Sequence, residues 1–152
     1  MLIADGYRRI ACITGPEHNE TAGDRARGWQ DAVREHQLDL PPSHWLVHSN
    51  NKFDGGQASI RALLERDDRP DAVFAANNLM GLGVLEGLRQ AGIRPADFGV
   101  ATPGDLHPLS PVPEGVHFTP MPARQIGETA ARILRERIRG DNQPPRTVIL
   151  RS

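Results

Sequence analysis

Short apolar runs alternate along this chain with segments whose apolar residues recur every three or four positions. The run from Arg9 to Thr14 has little polar interruption, as in a strand covered on both faces. Gly15 and Pro16 end it. Asn19 or Thr21 can then cap a helix in which Ala22, Ala26, Trp29 and Val33 form one stripe. Pro41 and Pro42 close that unit, and a short second strand is predicted from His44 to His48. Asp54 is predicted to cap the next helix, with Ile60, Leu63 and Leu64 pointing inward. A third strand spans Asp71 to Ala76, and the helix after it runs to Ala91, with Gly92 as its stop. Weaker strands are predicted from Phe98 to Ala101 and from Val116 to Phe118. Ile126, Ala130, Ile133, Leu134 and Ile138 mark a last helix from Arg124 to Arg139, ended by Gly140, and Thr147 to Leu150 reads as a closing strand.

Strands separated by helices at this spacing imply parallel strands joined by right-handed crossovers. The expected fold class is α/β, a doubly wound parallel sheet with helices on both faces. The stretch from Ala101 to Pro122 carries six prolines and two glycines, which makes it a long irregular connection of the kind that is functional or crosses between lobes. At 152 residues, 38% hydrophobic and 24% charged, the chain suits one ordinary domain. A formal net charge of -1 gives no overall basic field for nucleic acid. Cys12 is the single cysteine, so no intrachain disulfide can form. No apolar stretch approaches bilayer length and no signal-peptide pattern opens the chain, so a cytoplasmic location is expected.

Candidate chemistry is sparse. Asn77 and Asn78 follow the third strand at the edge where open α/β sheets receive ligands, and an amide can both give and take hydrogen bonds with a hydroxyl. Helix capping is the competing reading, since Asn is among the best N-cap residues. Arg25 lies about one turn into the first helix, either as a solvated arginine or as a guanidinium fork aimed over the strand edges. Asp105 and His107 could serve acid–base chemistry, but no nucleophile is evident and Gly104-Asp105 is ordinary turn chemistry. His44 and His48 bracket a strand roughly 13 Å long, at about 3.3 Å per residue, too far apart to share one zinc ion. Gly81, Gly83 and Gly87 lack the spacing of a dinucleotide fingerprint and are expected to permit close helix–sheet packing. The five arginines of the last helix, broken by Glu128 and Glu136, read as a solvated face. No cofactor and no metal site is called for.

Gly6-Tyr-Arg-Arg-Ile-Ala11, Arg25-Ala-Arg-Gly-Trp29, Asn77-Asn-Leu-Met-Gly-Leu-Gly83 and Gly127-Glu-Thr-Ala-Ala131, in this order, resemble the C-terminal portion of lactose-repressor (LacI-type) transcription regulators. The resemblance runs from Leu2 to Ser152. It implies one lobe of a periplasmic-binding-protein-like domain that binds a sugar or related metabolite. It also implies an N-terminal helix-turn-helix outside this chain that reads DNA, a homodimer, and no enzymatic activity. By the same resemblance the effector-binding residues are Arg25, Asn77, Asn78, Asp105 and Phe53. Residues 119–140 become a crossover segment and a helix belonging to the first lobe, most of which lies outside this chain. The apolar stripe of that helix then needs a new cover, a swap between chains, or disorder. A sugar-binding receptor of the periplasmic type is the alternative function, and an enzyme using Asp105 and His107 the third.

Three residues depart from the family pattern. Gly104 stands where an effector-contacting aspartate is usual, Asn78 replaces an aspartate, and Met121 replaces a polar residue at the crossover. Fewer carboxylates with Arg25 retained imply a less negative pocket, suited to an effector less rich in hydroxyls or one carrying negative charge, such as a sugar acid or phosphate.

Overall fold

The structure is a computed structural model, and it describes residues 1–39, 41–104 and 111–150. β1 (Ile10–Thr14) is buried at every position, as its unbroken apolar run requires. α1 (Glu20–Glu35) follows, capped by Asn19, whose Oδ1 accepts the Ala22 N–H at 3.1 Å. Ala22, Ala26, Trp29 and Val33 are its buried residues, the stripe expected from spacing. A 3₁₀ turn at Ser43–Trp45 leads into β2 (Leu46–His48), so the second strand is shorter than expected. α2 (Phe53–Leu64), β3 (Ala72–Ala75), α3 (Asn78–Gln90), β4 (Gly99–Pro103) and β5 (Val116–Thr119) complete the unit that spans Met1–Thr119.

All five strands run parallel in the order β2-β1-β3-β4-β5, with Cys12 opposite both Leu46 and Phe74. The expected α/β class with a parallel sheet is therefore observed. α2 and α3 cover one face. Ala11, Ile13, Val73, Ala75 and Val100 from the strands meet Ile60, Leu63, Met80, Val84 and Leu88 from those helices. α1 covers part of the other face, where Trp29 and Val33 meet Ile10, Cys12 and Ala72. The Trp29 indole N–H donates to the Ile10 carbonyl at 3.1 Å, which ties α1 to the first residue of the sheet.

α2 and α3 approach closely because glycines sit at their contact. A Cβ on Gly83 would overlap the Phe53 carbonyl oxygen, one on Gly56 the Met80 carbonyl oxygen, and one on Gly87 the Ile60 side chain. The expectation of helix–sheet packing holds for Gly81, which faces Thr102 of β4. It is corrected for Gly83 and Gly87, which face α2.

Two local expectations also fail. Asp54 does not cap α2: Lys52 occupies that position, and Asp54 in the first turn accepts from the Asn50 amide at 3.0 Å. An early carboxylate suits the helix dipole without capping. Residues 141–150 form no strand, although Thr147 to Leu150 is rich in β-formers. Such preference reflects packing on a neighbouring strand more than the backbone alone.

A second unit begins at Pro120. It contains α4 (Ala123–Ile138), which forms over the expected span and ends before Gly140 at φ 100°. None of its residues is buried; Ile126, Leu134 and Ile138 are exposed, Ile138 by 78%.

Gly83→Ala forces a methyl against backbone that cannot rotate away, so it is expected to cost about 1–3 kcal/mol, more than the roughly 1 kcal/mol gained in helix propensity. Gly28 in α1 has open space where a Cβ would go, and Gly28→Ala should instead stabilise by up to about 1 kcal/mol. Urea unfolding followed by circular dichroism measures both; a stabilising change at Gly83 would contradict the glycine-mediated contact. The Cys12 thiol is pushed up to about 12 by burial. Its reaction with a thiol reagent at pH 8 should therefore proceed only as fast as the protein opens, and rapid stoichiometric labelling of the folded chain would overturn that burial.

Candidate functional site

In a sheet of parallel strands every strand ends, and every following helix begins, at the same edge. Here that edge collects Gly15 after β1, residues 49–52 after β2, Asn77 after β3 and Gly104 after β4. The amino ends of α1, α2 and α3 lie just beyond, and their unpaired N–H groups give the edge a partial positive charge.

Asn77 has extended backbone, φ -146° and ψ 162°, and is the N-cap of α3. Its Oδ1 accepts the Met80 N–H at 2.8 Å, and its Nδ2 donates to the carbonyl oxygen (3.2 Å) and Oδ1 (3.1 Å) of Asn51. The capping reading of Asn77 is thus realised. With two acceptors on Nδ2 and one donor on Oδ1, most of its hydrogen-bonding capacity is taken within the protein, which narrows ligand contact.

Asn51 was not anticipated. It sits in the left-handed region at φ 64°, a conformation Asn tolerates better than most residues, and its amide packs over Gly15 at the end of β1. A single side chain thus links the loop after β2 to the ends of β1 and β3. The signal was present in the Asn50-Asn51 pair directly after a predicted strand. Asn50 is spent locally: its Oδ1 accepts the Lys52 N–H at 2.9 Å while its Nδ2 donates to Asp54. A ring nitrogen of His48, Nδ1, lies 3.1 Å from the Gly15 carbonyl oxygen and completes the cluster.

The other expected residues are distributed unevenly. Asn78 is exposed on the first turn of α3, and its Cβ lies next to Gly104. Phe53 opens α2 at the same edge and is 42% exposed, an apolar surface beside the amide cluster. Arg25 is half-buried on α1. It borders a hollow over the face of the sheet with Ile10, Trp29, Phe74 and Ala101, a hollow that does not include Asn77. It makes no hydrogen bond or ion pair among the described residues. Asp105 and His107 lie outside the described residues.

The arrangement offers amide donors and acceptors, helix N-termini and one exposed ring. Such groups bind hydroxyls and anionic groups. Among the described residues no three potential metal-binding side chains come together. His44, once weighed as a metal ligand, instead lies 2.8 Å from Asp68 through its Nε2.

Replacing Asn77 separates its two bonds. Asn77→Ala removes the cap and the Asn51 tether, and should cost about 1–2 kcal/mol in urea unfolding. Asn77→Asp keeps an oxygen for the Met80 N–H but sets a carboxylate oxygen against the Asn51 oxygens, so it should recover only part of that stability. If both variants unfold like the parent, the cap is not holding α3.

The sequence pattern of the periplasmic binding protein-like domain matches residues 1–152. The ribose operon repressor of Haemophilus influenzae is 31% identical over 150 residues, covering 98% of this chain and 45% of that protein. The HTH-type transcriptional regulator CelR of Thermobifida fusca is 33% identical over 150 residues, covering 98% and 44%. Among solved structures, a transcriptional regulator CelR–cellobiose complex has a TM-score of 0.83 at 33% identity, over 95% of this chain and 44% of that one. A LacI family transcriptional regulator from Mycobacterium smegmatis has a TM-score of 0.83 at 26% identity, over 91% and 52%. The chain thus spans less than half the length of the two curated relatives.

Proposed function

Because the chain belongs to the periplasmic-binding-protein-like domain family over its whole length, we propose that it is the effector-sensing part of a LacI-type transcription regulator. The observation that carries this reading is the amide cluster joining three strand ends, Asn51 to Asn77 and Gly15, at the edge where such sheets receive ligands. Relatives named as repressors and regulators, and a CelR neighbour solved with cellobiose, support the class. They also favour a regulator over a transport receptor or an enzyme.

The effector is a small metabolite held by Asn77, Asn78, Phe53, Arg25 and Asp105 against a second lobe from the longer protein. Binding that favours one angle between lobes shifts a two-state equilibrium, and a helix-turn-helix outside this chain converts the shift into altered DNA affinity in a cytoplasmic homodimer. Gly104 and Asn78 in place of carboxylates, with Lys52 at the same edge, argue for an anionic effector such as a sugar acid or sugar phosphate. One lobe alone gives weak affinity, since only one wall of the cleft is present.

A thermal-shift screen on the full-length regulator should therefore give its largest rise with sugar acids or sugar phosphates. Arg25→Ala should remove most of that rise while leaving the unliganded midpoint nearly unchanged. A response confined to neutral pentoses or hexoses would refute the anionic effector. No response to any sugar derivative would refute the sensor.

A further inference from the structure

One backbone N–H sets the orientation of two side-chain amides at the carboxyl edge of the sheet. The Met80 N–H can only donate, so the Asn77 atom 2.8 Å from it is the oxygen. The Asn77 Nδ2 is then turned to the loop after β2. The two Asn51 atoms it reaches there, the carbonyl oxygen at 3.2 Å and Oδ1 at 3.1 Å, are both acceptors. Asn51 therefore holds its oxygens toward Asn77, and its own Nδ2 lies on the far side of its amide. The order passes from the backbone through one side chain to the next.

That nitrogen donates to no acceptor among the described residues, although Asn51 is half-buried. It is not one of the buried side-chain nitrogens lacking a partner, so it is open to the outside. Its seat is Gly15, just after β1. A Cβ there would stand 2.5 Å from Asn51 Oδ1 and 2.7 Å from Nδ2, so the amide lies across bare backbone. The neighbouring polar groups are already engaged. The Gly15 carbonyl oxygen lies 3.1 Å from His48 Nδ1, and the Asn50 amide holds the Lys52 N–H and Asp54. Of Asn50, Asn51 and Asn77, Asn51 alone combines a fixed orientation with an unoccupied NH₂ group.

An amide held with its oxygens inward recognises from one side only: it gives hydrogen bonds outward and takes none there. A sugar hydroxyl placed at Nδ2 would accept and still need a partner for its own proton. A carboxylate or phosphate oxygen accepts and leaves no donor unmatched. A hydrogen bond to an ionised oxygen is also about twice as strong as one between neutral groups. We propose that Asn51, oriented by Asn77 and seated on Gly15, selects the effector by an anionic oxygen, of a carboxylate or a phosphate, held at its Nδ2. The inference rests on the sensor reading above and adds the residue that discriminates and the group it discriminates for. It does not depend on Arg25, which borders a hollow that includes neither Asn51 nor Asn77.

The test measures binding to the full-length regulator by calorimetry, with D-gluconate, D-ribonate, D-glucose 6-phosphate, D-ribose 5-phosphate, D-glucose and D-ribose as probes. Asn51→Gly suits the left-handed φ of 64°, keeps the carbonyl oxygen for Asn77 and removes only the amide. Asn51→Asp keeps Oδ1 for Asn77 and puts an oxygen where the NH₂ was. Gly15→Ala leaves the amide in the chain and displaces it. Asn51→Gly and Gly15→Ala should each weaken the anion that the parent binds by about tenfold or more, and Asn51→Asp by about a hundredfold. Acids and phosphates as separate probes tell which anionic group is held. In the parent, the Asn51 side-chain NH₂ resonances, recognised by their loss in either Asn51 variant, should shift as that anion is added. Undiminished anion binding by Asn51→Gly, or NH₂ resonances that stay in place while the anion binds, overturns the proposal alone. A parent that binds only glucose or ribose overturns the proposal and leaves the sensor standing. A parent that binds none of the six overturns both.

Discussion

Five parallel strands impose one geometric constraint from which most of this molecule follows. Each strand must be left at the same edge, and each return must cross a face with an apolar element. The unbroken burial of β1 is the sequence signature of that arrangement. The same constraint concentrates loose ends. Strand carbonyls without ladder partners and the N–H groups of three helices meet at one rim, where polar side chains or water must satisfy them. Asn19, Asn51 and Asn77 are there for that reason before any ligand is considered.

Capping and recognition therefore compete for the same amides. Asn77 spends its oxygen on α3 and its Nδ2 on two oxygens of Asn51, which fixes the side chain in a single orientation. A group already held by two partners loses little further entropy when a ligand arrives. An asparagine oriented in this way is a better recognition element than a free surface asparagine. Phe53 complements it differently: beginning α2 at the same rim, its ring can cover an apolar face of a ligand while the amides take its hydroxyls. The close approach of α2 and α3, set by Gly56, Gly83 and Gly87, holds that ring and the Asn77 amide in register.

What could be read from the sequence divides along physical lines. The α/β class, the four helices and five of the six expected strands rest on periodicity over many residues, where burial and pattern agree. The Thr147 to Leu150 strand rested on β-propensity alone and did not form. Residue type points to Asp54 as a cap, but capping depends on backbone angles, and Lys52 holds the extended conformation at φ -114° and ψ 170°. Gly83 and Gly87 were correctly read as close-approach residues, yet which neighbour approaches depends on how α2 and α3 cross. Asn51 went unnoticed because its role is tertiary: nothing local says that a loop after β2 will reach the ends of β1 and β3. The effector residues proposed above rest on family resemblance, since an asparagine after a strand reads equally well as a cap.

Arg25 begins a second stripe of α1, beside the buried one formed by Ala22, Ala26, Trp29 and Val33, and borders the hollow over Ile10, Phe74 and Ala101. Among the described residues its guanidinium has no hydrogen-bond or ion-pair partner. The N-termini of α1, α2 and α3 at the carboxyl edge repel a lone cation and attract an anion, so an anionic group at that rim would satisfy both the helix ends and the guanidinium.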